Sequence, residues 1–216
     1  MAQLRTGRYG QYYGCTFDES HVLTRVQMQR NAEYIYSYLT DKGWTPEAVA
    51  GILGNMEHES AVNPGRWQSD RPGATSSGYS LTQWTPASKY ITWCNERGLD
   101  PSEMDNALDR ITWELENNEQ YFKTSGYPLT FQQFIKSTES PYYLACAFAW
   151  NYERSYTVLY GSAAEKEALK KQRGNSANAW YQYLTGVEPD DPIGPGPIIK
   201  KSMSLLLMWA TIRRKI

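Results

Sequence analysis

The sequence predicts an α+β chain, predominantly α-helical, with one small β-hairpin set between helices. Three observations carry that prediction. Proline-led helix starts recur, apolar residues recur at helical spacing, and both patterns stop between residues 61 and 85, where turn chemistry takes over.

The helix starts are Thr45-Pro46, Thr85-Pro86, Asp100-Pro101 and Ser140-Pro141. In each, a side-chain oxygen is placed to cap orphan amides, and a proline stands at the first helical position, where its missing N–H costs nothing. Asp100-Pro-Ser-Glu103 and Thr130-Phe-Gln-Gln133 add the residue that reaches back to complete a capping box. The apolar stripes come in order along the chain. Ala32, Ile35, Tyr36 and Leu39 form the first, which Gly43 ends. Val49, Ile52, Leu53 and Met56 form the second, and Ala87, Tyr90, Ile91 and Cys94 the third, stopped by Gly98. Met104, Leu108, Ile111 and Leu115 predict a longer helix over about 101–120. Leu144, Ala145, Phe148 and Tyr152 predict another, and Trp180, Tyr181 and Leu184 a last one ending near Gly186.

Between these helices Asn63-Pro-Gly65, Arg71-Pro-Gly73 and Ser76-Ser-Gly78 are turn chemistry, and the alternating run Tyr79-Ser-Leu-Thr-Gln-Trp84 reads as the hairpin. The chain therefore divides into an N-terminal extension (1–27), a folded domain (28–186), a Pro/Gly-rich linker (187–201) and a short apolar and basic tail (202–216). The tail's apolar run is far shorter than the roughly 20 residues a spanning helix needs. Docking on a partner subunit, contact with a membrane interface and a frayed end are its three readings.

Composition narrows the function. Lys+Arg of 22 against Asp+Glu of 23 gives a net charge of −1, which excludes a protein held on nucleic acid by a basic surplus. The 17 Tyr and 8 Trp suit a core, and they also suit clefts that bind sugars by stacking. Three cysteines, Cys15, Cys94 and Cys146, cannot all pair, so a disulfide scaffold is not expected. No apolar run marks a secretory signal at the N-terminus. With only His21 and His58, neither a Cys–His hydrolase nor a zinc hydrolase has its residues, and no metal or other cofactor is expected.

Two carboxylates, Glu57 and Glu59, stand at the end of the helix predicted from Pro46. Cleavage of a glycosidic bond needs a carboxylic acid still protonated near neutral pH, and a Glu against apolar surface provides one. A helix C-terminus also disfavours negative charge. Glu59 lies at one edge of the apolar stripe and Glu57 at the other, so periodicity nominates both and separates neither.

The run Gly43-Trp-Thr-Pro-Glu-Ala-Val-Ala-Gly-Ile-Leu-Gly-Asn-Met-Glu-His-Glu-Ser60, then Asn63-Pro-Gly65, then Gly78-Tyr-Ser-Leu-Thr-Gln-Trp-Thr-Pro86, resembles the phage tail lysozyme family, and the likeness continues through Tyr152-Glu-Arg154. The resemblance implies a lysozyme-like fold in which a helix delivers the catalytic Glu to a cleft flanked by the small β-hairpin. In the family's Asn-Met-x-x-Glu-Ser motif the acid directly precedes Ser, which falls on Glu59. The family's Gly-x-Gly-Leu-x-Gln-Trp hairpin falls on residues 78–84, with Ser80 in place of the second glycine. Gln83 is then placed to bind an N-acetyl group, to order a water, or to brace the hairpin. Tyr152 is similar to a tyrosine that such domains bring to the cleft floor, and a core aromatic is its other reading. Trp67, Tyr79 and Trp84 are candidates to stack on sugar rings or to pin the loop. Asp70 is a candidate second carboxylate or a turn residue.

The implied activity is cleavage of the MurNAc–GlcNAc β-1,4 bond of peptidoglycan. It proceeds by hydrolysis or, where no second carboxylate serves, by lytic transglycosylation to an anhydro-sugar. The implied partners are glycan strands and, through the C-terminal tail, other phage tail subunits; the implied place is the virion or the medium after lysis. The competing reading from another class is a degenerate domain that binds glycan or builds a tail.

Overall fold

The computed structural model describes residues 1–189. Most of the linker and the whole of the tail, with its expected subunit contact, lie outside the described residues. Within them the architecture is helical with one small antiparallel sheet, as the sequence predicts.

That sheet comes from the first residues of the chain. Strands β1 (Gln3–Gly7) and β2 (Gly10–Gly14) pair with Leu4 opposite Tyr13 and Arg5 opposite Tyr12. Residues 1–27 are built into the core: Tyr12, Cys15 and Leu23 are buried. The first helix, α1 (Arg25–Asp41), starts at a Thr24/Gln27 capping box. Its Asn31 fastens the sheet to the loop at Val62. The Asn31 amide accepts from the Tyr13 N–H and donates to the Tyr13 and Val62 carbonyls, each at 2.7 Å. Gly43 comes next at φ +78°, a left-handed turn that a side chain resists.

Helix α2 (Pro46–Ser60) begins as predicted, with the Thr45 hydroxyl accepting from the Ala48 N–H at 3.2 Å. Every residue from Ala48 to Met56 is buried, so this stretch of the helix is enclosed on all sides and occupies the middle of the molecule. It packs against α1, α6 (Pro141–Phe148) and α8 (Ala163–Thr185). The α8 backbone comes so close that a Cβ on Gly54 would lie 2.6 Å from the Arg173 carbonyl oxygen.

Two predicted helix starts are not formed. At Thr85 the hydroxyl donates back to the Gln83 carbonyl at 2.8 Å, and α3 (Ser88–Asn95) begins after Ala87 with no side-chain cap. Asp100 instead accepts from the Ser102 N–H and hydroxyl at 2.8 and 2.7 Å, an Asx turn. The Glu103 carboxylate is drawn away by Arg5 and Tyr12. Tertiary partners thus outcompete the local box, and α4 runs only Met104–Glu116, inside the expected 101–120.

The Thr130/Gln133 box does form and starts α5 (Phe131–Ile135). Ser140 caps α6, accepting from the Tyr143 N–H at 3.2 Å. Beyond α6 the chain makes a π-helical turn, Ala149–Glu153, closed by Arg154 in the left-handed region at φ 47°. Short α7 (Tyr156–Tyr160) leads to α8, which Gly186 ends at φ 73°. Between 61 and 85 the expected hairpin is reduced to isolated antiparallel bridges, Trp67 with Tyr79 and Tyr79 with Trp84. Left-handed Ser80 and Gln83, at φ 72° and 50°, turn the chain too tightly for strands to extend.

Candidate active site

Three segments converge on one cleft. The last turn of α2 carries Glu59, the tight turn at 79–84 faces it, and the π-helical turn brings Tyr152 and Glu153 to the far side. Ser60 ties the first two together, its hydroxyl donating to the Leu81 carbonyl at 2.9 Å and to Met56 at 3.1 Å. Tyr152 ties the third, its hydroxyl 3.5 Å from that of Thr82. A cavity of about 90 Å³ lies between the 79–84 turn and the π-helical turn, lined among others by Thr82, Gln83, Trp84, Gln120, Tyr152 and Glu153; Glu59 is not in its wall and is joined to it through the field it exerts on Glu153. Single π-helical turns are frequent at functional sites because the extra residue redirects side chains off the helical repeat.

Glu59 stands one residue before the end of α2, its side chain 21% exposed. Burial pushes its carboxyl up to about 7. Arg173 of α8 donates to Oε1 of Glu59 and, at 3.1 Å, to the Asn55 carbonyl. The cation favours the carboxylate and desolvation favours the acid, and desolvation prevails. Burial also lowers the Arg173 guanidinium to about 10, against an opposing pull from Glu57. Glu57 itself pairs with Arg25 of α1 at 2.9 Å. The two carboxylates that periodicity leaves equal therefore meet different neighbours.

Glu153 and Glu114 accompany Glu59, and the sequence reading missed both. Glu153 has a buried Oε1 with no hydrogen-bond partner among the described residues. Burial, then the fields of Glu59 and Glu114, hold its carboxyl well above the usual range. Glu114, on α4, is 1% exposed. It accepts from Arg110 Nε at 2.9 Å, from Trp84 Nε1 at 2.9 Å and from the Tyr152 hydroxyl. Burial raises its pKa while Tyr152, Arg110 and Trp84 oppose the rise.

The remaining candidates are distributed unevenly. Tyr152 and Trp84 both line the cavity, almost wholly buried, with their polar atoms on Glu114. Gln83 lines it too, but its amide nitrogen donates to the Arg66 and Ser80 carbonyls at 3.0 and 2.9 Å, so that end of the side chain braces the turn. Trp67 and Tyr79 are fully buried, packed on each other and on Phe17, and as placed they pin the loop to the core. Asp70 accepts from the Ser20 hydroxyl at 2.7 Å and pairs with Arg66 at 3.1 Å, holding the loop. Arg173 was not legible as a site residue, because α8 around it is a charged stretch without an apolar stripe. Glu153 lies inside the Tyr152-Glu-Arg154 word, and that was its only signal.

Comparison with known proteins gives the family. The chain is 41% identical over 170 residues to Morphogenesis protein 1 of Bacillus phage B103, an alignment covering 79% of this chain and 43% of that relative. This chain thus spans less than half the length of that relative. The family described as phage tail lysozyme matches residues 30–184, a stretch that holds Glu59, the 79–84 turn, Glu153 and Arg173. With that match over most of its length, the chain belongs to the phage tail lysozyme family.

Proposed function

We propose that this domain cleaves the MurNAc–GlcNAc β-1,4 bond of bacterial peptidoglycan, with Glu59 as general acid, and that it is carried on a phage tail to open the cell wall during genome entry. The observation that carries the reading is the state of Glu59. It is a part-buried carboxyl held at about 7, next to Ser60, which bonds the turn that the family motif marks. Arg173 engages Oε1, so Oε2 is the oxygen that bears the proton. Protonating the departing glycosidic oxygen from there leaves an oxocarbenium-like sugar, and the resulting carboxylate is stabilised by the arginine already in contact.

A second reading, lytic transglycosylation at the same bond, is favoured by the state of the other carboxyls. Asp70 is engaged by the loop, Glu114 by three donors, and burial with the fields of Glu59 and Glu114 disfavours ionisation of Glu153. None of the three is an ionised, unengaged base or nucleophile opposite Glu59. In that case the Glu59 carboxylate takes the proton from the sugar's own 6-hydroxyl, which closes onto the anomeric carbon.

A zymogram on purified peptidoglycan tests the first reading. Wild type clears it, and Glu59→Gln falls by about 10³-fold or more; equal clearing by both proteins rejects Glu59 as the acid, and no clearing by wild type favours a degenerate binding domain. Mass spectrometry of the released fragments separates the two chemistries, with reducing muramic ends from hydrolysis and 1,6-anhydro ends from transglycosylation.

A further inference from the structure

A second and larger opening lies beside the cleft. It is a groove of about 460 Å³ between α3 and α4, whose walls include Lys89, Trp93, Glu96, Arg97, Arg110 and Trp113. Its chemistry is aromatic and cationic. The Arg97 guanidinium lies 4.6 Å from the Trp93 ring centroid, and that of Arg110 lies 4.4 Å from the Trp113 centroid and 5.5 Å from Trp93. Stacking on indoles holds both guanidinium groups in place; Arg97 Nη1 also donates to the Trp93 carbonyl at 3.0 Å and Arg110 Nε to Glu114 at 2.9 Å, and the remaining N–H groups can meet a planar anion.

The charges are not balanced within the groove. Arg110 is matched by Glu114 at 2.9 Å beneath it. Arg97 has only Glu96, at 3.5 Å and well exposed, where an ion pair contributes little. Lys89 has no ion pair among the described residues. Trp93, 7% exposed, has an indole N–H without a partner among the described residues. The groove thus offers two under-compensated cations and a spare donor.

Two links join it to the cleft. Lys89 lines both openings, standing at the rim where one meets the other. Underneath, the Glu114 carboxylate holds Arg110 of the groove and Trp84 and Tyr152 of the cleft at once. A strand lying in the cleft therefore continues over Lys89 into the groove without leaving a common floor.

We propose that the groove between α3 and α4 is a subsite for the anion-bearing unit of the glycan strand, with a muramyl carboxylate, lactyl-linked or on the stem peptide, held between Lys89 and Arg97. The proposal rests on the glycan reading of the cleft. It adds a preference for substituted muramyl units over an uncharged glycan of the same length. Phosphate on a wall polymer presents similar chemistry, but it has no reason to be continuous with the cleft.

The test is equilibrium binding, so that it does not depend on turnover. The Glu59→Gln chain is titrated, by its tryptophan fluorescence, with a soluble muramyl-peptide oligosaccharide, with an N-acetylglucosamine oligomer of equal length, and with a glycerol-phosphate oligomer. The muramyl-peptide ligand is expected to bind about five-fold tighter than the neutral one at low salt, and about 0.5 M salt should erase that preference. Adding Lys89→Gln or Arg97→Gln is expected to shrink it about three-fold. An unchanged preference in both variants overturns the subsite, as does an equal loss of both glycans, which would mark the indole–guanidinium stack as structural only. Tighter binding of the phosphate oligomer than of the muramyl peptide overturns the carboxylate assignment. Failure of both glycans to bind even without the added substitutions rejects the glycan reading itself.

Discussion

Arg173 of α8 donates a hydrogen bond to the Oε1 atom of Glu59, 114 residues earlier in the chain. The contact opposes the burial that keeps Glu59 protonated, so it sets the pH at which the acid is lost. A general acid works only while protonated, and activity should fall as pH rises through about 7. Replacing Arg173 by Gln removes a charge that favours the carboxylate and should move that alkaline limb upward by about one pH unit. The substitution should also cost about 1–3 kcal/mol of stability through the lost hydrogen bonds. A pH–rate profile beside urea denaturation reads both, and an unmoved limb with lowered stability would make Arg173 a brace between helices and nothing more.

Glu59 and Glu153 give the fold a pH dependence of definite sign. Both carboxyls titrate above their ordinary value of 4.5 in the folded protein, Glu59 at about 7 and Glu153 displaced in the same direction by burial. The folded state therefore binds more protons than the unfolded chain across that window. The stability these groups contribute is complete below pH 4.5 and is lost progressively as pH rises through 7 and beyond. Glu153→Gln should match wild type near about pH 4 and exceed it by about 1–3 kcal/mol near about pH 8. Urea midpoints at the two pH values check this, and a variant equally or less stable at the higher pH would contradict it.

Tyr152→Phe should weaken the floor of the cleft. Glu114 keeps Arg110 and Trp84 but loses its hydroxyl donor inside a dry site. The expected loss is about 1.5–3 kcal/mol. A double-mutant cycle with Glu114→Gln, followed by thermal denaturation, should show non-additivity for the hydrogen bond the two groups share, over the separate cost of the Arg110 and Trp84 contacts of Glu114.

Ser80→Gly should stabilise the protein. Ser80 sits at φ 72°, fully buried, with a hydroxyl that has no partner among the described residues. Glycine removes the backbone strain and the stranded hydroxyl together, against its own entropy in the unfolded chain. The net gain should be about 0.5–2 kcal/mol in a urea melt; a loss would mean that the hydroxyl is satisfied in solution.

Ser80 also shows what the sequence holds and what it hides. The substitution of the family's second glycine is visible in the sequence, but the left-handed backbone that makes it matter is not. Helices α2, α5 and α6 and the C-terminal end of α8 were legible because stripes and end signals are local: Thr45, Thr130, Ser140 and Gly186 act on neighbours within a turn. Asp100 and Thr85 carried the same local signal and were overruled by partners that no window contains, Arg5 and Tyr12 for Glu103, and the bend at Gln83. Strands β1 and β2 were missed because their alternation is short and their burial comes from α1. In the site, Glu59 was singled out by motif spacing. Glu114, Glu153 and Arg173 become neighbours only through tertiary contacts between α2, α4, the π-helical turn and α8, which leave no periodicity to read.

The position of α8 carries a consequence for how this protein is made. Helix α2 emerges early in synthesis with the Glu59 carboxyl at its end, but its counter-charge arrives with Arg173, more than a hundred residues later. Until α8 is laid along Gly54, the central helix has an open apolar side and the acid stands in water, ionised like any surface glutamate. A nascent chain is thus expected to carry no working acid, and proton-donating power is gained only when the final helix closes. If the domain cuts the wall as proposed, that ordering keeps unfinished copies inert.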